Sequence, residues 1–194
     1  MRSTNLNMGR WVALFAVTAG VLALAAPAGA QSGGATAPDS TTPAPAPSPT
    51  GKPGKATLTK KGKAIAPPDA PAAVQNAIAA GNLIRKYPYR WGGGHAAFYD
   101  TGYDCSGAVS FVLYGGGLIE SPLASGPLAT SWGSIGKGRW ITVYANAGHT
   151  YVVVAGLRFD TSAVGESLRR GSGPRWRAAK RSPKGYTAKY YPSL

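Results

Sequence analysis

The chain has 194 residues, a single cysteine, two histidines and a formal net charge of +14, and 44% of its residues are hydrophobic, enough for a globular core. One cysteine excludes an internal disulfide framework, and the few, scattered Cys and His residues do not favour zinc over a thiol nucleophile; no metal or cofactor is expected. Gly92-Gly93-Gly94-His95 lacks the Lys-Ser/Thr that follows a phosphate-cradling glycine loop, so only charge speaks for nucleic acid and no nucleic-acid partner is expected. Residues 1–30 read as a signal peptide: Arg2 and Arg10 are basic, Trp11 to Ala26 is apolar, and Ala28-Gly29-Ala30 supplies small residues at a cleavage site. The expected location is therefore secreted or in the cell wall, with no stable membrane span after cleavage; an uncleaved anchor is the other reading of the same segment. Residues 31–70 turn to Pro, Ala, Ser, Thr and Gly, with Lys52, Lys55, Lys60, Lys61 and Lys63 in the second half. Too few apolar side chains remain there to offset the entropy of ordering the chain, so a disordered, extended linker is expected. Residues 71–194 are left as one domain, expected to be monomeric.

Within that domain, Val74, Ala77, Ile78, Gly81 and Ile84 recur at helical spacing before Pro88, which predicts a helix over residues 74–86. The aromatic, glycine-rich segment Tyr87-Pro88-Tyr89-Arg90-Trp91-Gly92-Gly93-Gly94-His95 follows, and its glycines permit close backbone approach. Next, Gly102-Tyr103-Asp104-Cys105-Ser106-Gly107 opens an apolar run that Gly115-Gly116-Gly117 stops. That pattern places Asp104 at an N-cap and Cys105 in the first turn of a short buried helix. Free amides and the helix dipole there favour a thiolate, and the same amides suit an oxyanion. An exported chain pairs its cysteines, so a lone one reads as a functional thiol; an inert buried cysteine is the alternative.

These segments resemble the NlpC-type papain-like cell-wall cysteine peptidases, in Pro88-Tyr89-Arg90-Trp91-Gly92-Gly93, in Asp104-Cys105-Ser106-Gly107 and in the Gly148-His149 pair that opens the strand Thr150 to Val154. The resemblance covers residues 74–161. It implies an α+β, papain-like fold with N-terminal helices packed on a C-terminal antiparallel sheet. It also implies a peptidoglycan partner and hydrolysis of an amide in the peptide stem, commonly a γ-D-glutamyl bond to a diamino acid. Cys105 would be the nucleophile and His149 the base, with Tyr89, Trp91 and Ser106 at the substrate or oxyanion. His95 is the fallback base. The chain departs from the family where Gly138 to Tyr144 lacks the usual aspartate, and in residues 120–137, which read as a Gly, Ser and Pro loop.

The third site residue follows from register. Ala155-Gly156 reads as a two-residue hairpin turn, so Val154 faces Leu157 and Tyr151 faces Asp160. Alternation puts Asp160 on the face of His149, where a carboxylate stabilises the imidazolium; Thr161 takes the place if the turn has three residues. Arg169, Arg170, Arg175, Arg177, Lys180, Arg181, Lys184 and Lys189 crowd the C-terminal segment, either as a contact for anionic wall polymers or as a solvated face. Residues 185–191 also read as a last strand. A non-catalytic wall-binding domain is the alternative function, although a pure binder needs no thiol.

Overall fold

A computed structural model describes residues 51–162, 173–178 and 180–194. Residues 1–30, expected to be a signal peptide, residues 31–50 of the expected linker, Arg169 and Arg170 lie outside the described residues. The fold is α+β: helices from the N-terminal half pack on an antiparallel sheet from the C-terminal half.

Residues 51–70 correct the expectation of a disordered linker. Strands β1 (Thr57–Leu58) and β2 (Ala64–Ile65) form an antiparallel hairpin docked on the domain. Ala56, Ala64 and Ala70 are buried in the core. The Ala56 amide donates to Ala155 O at 2.8 Å. Asn82, buried in the first helix, accepts from the Ala64 amide at 2.9 Å and donates to Ala64 O at 2.8 Å, as a neighbouring strand would. Composition fails here because small alanines fill shallow sites on a core that other residues build.

Helix α1 (Ala72–Ile84) buries Val74, Ala77, Ile78, Gly81 and Ile84, the stripe set by the sequence spacing. Gly81 is required by close approach: a Cβ there would lie 2.5 Å from the indole of Trp176. Helix α2 (Cys105–Gly115) is buried along almost its whole length and lies between α1 and the sheet. A helix apolar on all sides is stable only inside such a sandwich.

The expected loop at residues 120–137 instead carries a short helix, α3 (Ser125–Thr130), and an edge strand, β3 (Ser134–Ile135). The sheet continues with β4 (Ile141–Ala145), β5 (Thr150–Val154), β6 (Leu157–Asp160), β7 (Arg175–Arg177) and β8 (Thr187–Tyr190). Its order is β3-β8-β4-β5-β6-β7. The last strand read from the sequence is thus β8, inserted between β3 and β4. Val143, Val152, Val154 and Phe159 bury one face against α2.

The C-terminal segment is not simply a basic surface. Arg177 and Lys189 are buried, Arg177 donating to Asp160 O at 3.3 Å and Lys189 to Thr130 O at 3.1 Å. Strand β7 is unexpected because Arg-Trp-Arg carries no apolar alternation; its pairing with β6 and the insertion of Trp176 against Phe159 form it. Among the described residues no helix is long and apolar enough to cross a membrane.

Candidate active site

Asp104 opens α2 from extended backbone, and its Oδ1 accepts from the Gly107 amide at 2.8 Å. This cap holds Cys105 in the first turn, where helix amides have no intrahelical acceptors. The glycine segment packs directly on this turn. Gly93 O accepts from the Asp104 amide at 3.2 Å, and a Cβ on Gly107 would fall 2.0 Å from that same oxygen. Gly94 has φ +81°, a conformation that excludes most side chains. The paired glycines 93 and 107 are therefore a steric requirement of placing the thiol.

His149 precedes β5 in the turn from β4. The Asn146 side chain accepts from the Gly148 and His149 amides, both at 2.9 Å, which fixes the turn and the imidazole with it. Strands β5 and β6 pair Val154 with Leu157 and Val152 with Phe159 through the two-residue turn Ala155-Gly156. That register puts Asp160, rather than Thr161, on the imidazole, with Asp160 Oδ1 3.0 Å from His149 Nε2.

Cys105, His149 and Asp160 therefore converge. Burial pushes the Cys105 thiol up, but hydrogen bonds from the His149 ring and the Thr150 amide outweigh it and leave the thiol below its ordinary value. Burial disfavours charge on His149 as well. Its hydrogen bonds to Asp160 and Cys105 win, and the imidazole is pushed up to about 9. Burial likewise opposes the charge of Asp160, while hydrogen bonds from His149 and the Ser162 amide hold its carboxyl below the usual range. All three directions favour a thiolate–imidazolium pair backed by a carboxylate. With Nε2 engaged by Asp160, Nδ1 is the ring nitrogen left for sulfur.

The other expected residues divide. The Tyr89 phenol is raised by burial and then by the charges of Cys105 and Asp104, so it stays protonated beside the thiol. A parallel bridge from Tyr89 to Tyr103 sets its backbone. Trp91 is almost wholly exposed. Ser106 is buried, its hydroxyl 3.2 Å from Asp104 Oδ1 and 3.0 Å from His95 Nε2, so only its amide is left to face a substrate. His95 lies on Asp104 Oδ1 at 3.0 Å, bracing the cap.

Sequence reasoning missed Arg181. Its Nη1 is 3.0 Å from Asp160 Oδ2 and its Nη2 donates to the Tyr186 hydroxyl at 2.7 Å. The guanidinium also lies 5.3 Å from the ring centres of both Tyr151 and Tyr186. Asp160 therefore gives one oxygen to His149 and the other to two cations, Arg181 and the buried Arg158, whose Nε lies 3.4 Å away. A lone arginine in a basic segment carries no signal of this kind. Among the described residues no cluster of three or more His, Cys, Asp or Glu could hold a metal ion.

No family model and no curated protein matches this chain. Among solved structures the chain is similar to Rv1477, a hypothetical invasion protein of Mycobacterium tuberculosis, at 20% identity and a TM-score of 0.42, over 62% of this chain and 67% of that one. It is similar in the same degree, at 20% identity and a TM-score of 0.42, to a mutated form of the Resuscitation Promoting Factor Interacting protein RipA, over 62% of this chain and 66% of that one.

Proposed function

We propose that the chain is an exported cysteine peptidase that hydrolyses amide bonds in peptidoglycan peptide stems, cutting a γ-D-glutamyl bond to a diamino acid. The observation that carries this reading is the Cys105 thiol in the first turn of α2, hydrogen-bonded to His149, whose Nε2 is held by Asp160. The choice of substrate rests on the sequence motifs around Cys105 and His149 and on the signal-like residues 1–30.

The Cys105 thiolate attacks the amide carbon, and the carbonyl oxygen takes the negative charge. First-turn amides of α2 and the protonated Tyr89 hydroxyl are the donors available to it. His149 gives its proton to the amine nitrogen as the C–N bond breaks, leaving a thioester on Cys105. A water then loses a proton to His149 and attacks the thioester, releasing the acid and restoring the thiolate. Asp160 holds the imidazole through both steps and stabilises its charge.

The test is digestion of purified peptidoglycan by the chain and by its Cys105→Ala variant, followed by mass spectrometry. Fragments released only by the unaltered chain are expected, with masses that name the bond. Absence of fragments from both, together with retention of the protein on the wall, would replace this reading with a non-catalytic wall-binding domain.

A further inference from the structure

The net charge of +14 needs a place to act, and the C-terminal segment supplies less free charge than its composition suggests. Arg177 and Lys189 are buried and Arg181 is committed to Asp160 and Tyr186. The exposed lysines of the N-terminal hairpin are placed differently. The β1–β2 turn is shaped by the Thr59 hydroxyl accepting from the Lys63 amide at 3.0 Å and by Gly62 at φ +74°. It carries Lys60 and Lys61, both exposed, to the rim of a cavity of about 430 Å³.

Arg85 and Lys86 from the end of α1, with Arg175 and Trp176 from β7, complete the lining, and no carboxylate among the described residues lines it. Two N–H groups of this lining are buried with no acceptor among the described residues: Trp176 Nε1 and Arg85 Nε. Trp176 is only 4% exposed, so its indole forms a fixed wall of the cavity. The cavity falls within the ordinary range of small-ligand sites, roughly 300–1,000 Å³, and is too large for a single phosphate to fill.

We propose that this cavity is an anion-binding site for a phosphodiester-linked chain, whose phosphates meet Lys60, Lys61, Arg85 and Lys86 along its rim. Lysine ammonium groups act as point charges that suit phosphate oxygens without a fixed fork geometry. The site uses none of the groups around Cys105 and stands whether or not the chain is a peptidase.

The test is nuclear magnetic resonance of the ¹⁵N-labelled full chain, following the Trp176 indole N–H signal, assigned by its loss in Trp176→Phe. Three probes are titrated: inorganic phosphate, an oligomer of glycerol phosphate and polyglutamate. A saturable shift of that signal is expected, with the oligomer binding about tenfold tighter than inorganic phosphate because several phosphates engage together. Replacing Lys60 and Lys61 by Ser should weaken the oligomer about tenfold, and replacing Lys180 and Lys184 by Ser less than about twofold. The Cys105→Ala chain should bind as the unaltered chain does. An indole signal that stays fixed, or an equal loss from the two lysine pairs, would remove the site. Equal affinity for inorganic phosphate would overturn the polymeric ligand, and equal affinity for polyglutamate would overturn the phosphate chemistry.

Discussion

His95 and His149 each place Nε2 3.0 Å from a carboxylate oxygen, the first on Asp104 and the second on Asp160. What surrounds the pairs separates them. The His95 side chain is 34% exposed and its second contact is the Ser106 hydroxyl, so the ring closes a local network that caps α2. The His149 side chain is 20% exposed, its carboxylate is fully buried, and its other partner is the Cys105 thiol. A histidine–aspartate contact is therefore not a catalytic signature by itself. The third group on the ring decides whether the pair moves protons or only holds a turn.

Substitutions should separate the two pairs. Cys105→Ala or His149→Ala should lower turnover on peptidoglycan by on the order of 10⁴-fold or more, read as fragments released per unit time. Asp160→Asn keeps a polar partner but removes the charge, and should cost roughly 10²–10⁴-fold in turnover. Arg181→Gln should lower unfolding free energy by about 2 kcal/mol, measured by urea denaturation, because it removes a charged hydrogen bond from a carboxylate that Arg158 and His149 still face. His95→Ala should cost about 1 kcal/mol of stability and leave turnover within about tenfold of the unaltered chain. If His95→Ala were as inactive as His149→Ala, the distinction between the pairs would collapse.

Proton linkage adds a sharper contrast. His149 is raised from its ordinary 6.5 to about 9, so its contribution to stability is complete below 6.5 and is lost as pH rises through about 9. Asp160 runs the other way: its contribution is present above its ordinary 3.8 and is lost as pH falls through its lowered folded value. Turnover should follow the ion pair, falling on the alkaline side near pH 9 as the imidazolium loses its proton. A pH profile of turnover checks this, and alkylation of Cys105 against pH checks the thiol, which should already react below its ordinary range. In Asp160→Asn the alkaline fall should move to lower pH.

How far these features could be read from sequence depends on chain distance. The α2 cap lies within Asp104 to Gly107, and the β5–β6 register is set by a turn of two residues, so local spacing was enough to bring Asp160 to His149. Arg181 reaches Asp160 from 21 residues away, and Arg175 to Arg177 become a strand only through pairing with β6. Neither leaves a local pattern. The same turn supplies the smallest test: Ala155 holds φ +45°, so Ala155→Gly should keep the register and turnover while changing stability by no more than about 1 kcal/mol.

The clamp of Asn82 on Ala64 bears on the order in which this protein is made and folded. A pair of two-residue strands does not persist alone in water. The hairpin depends on Asn82 in α1 and on Ala155 in the β5–β6 turn, both downstream of it. The hairpin precedes both anchors in the chain, so its docking requires both to be present. Early synthesis and late folding thus fall on the same twenty residues. Those residues can complete their core contacts only once Ala155 has been added to the chain.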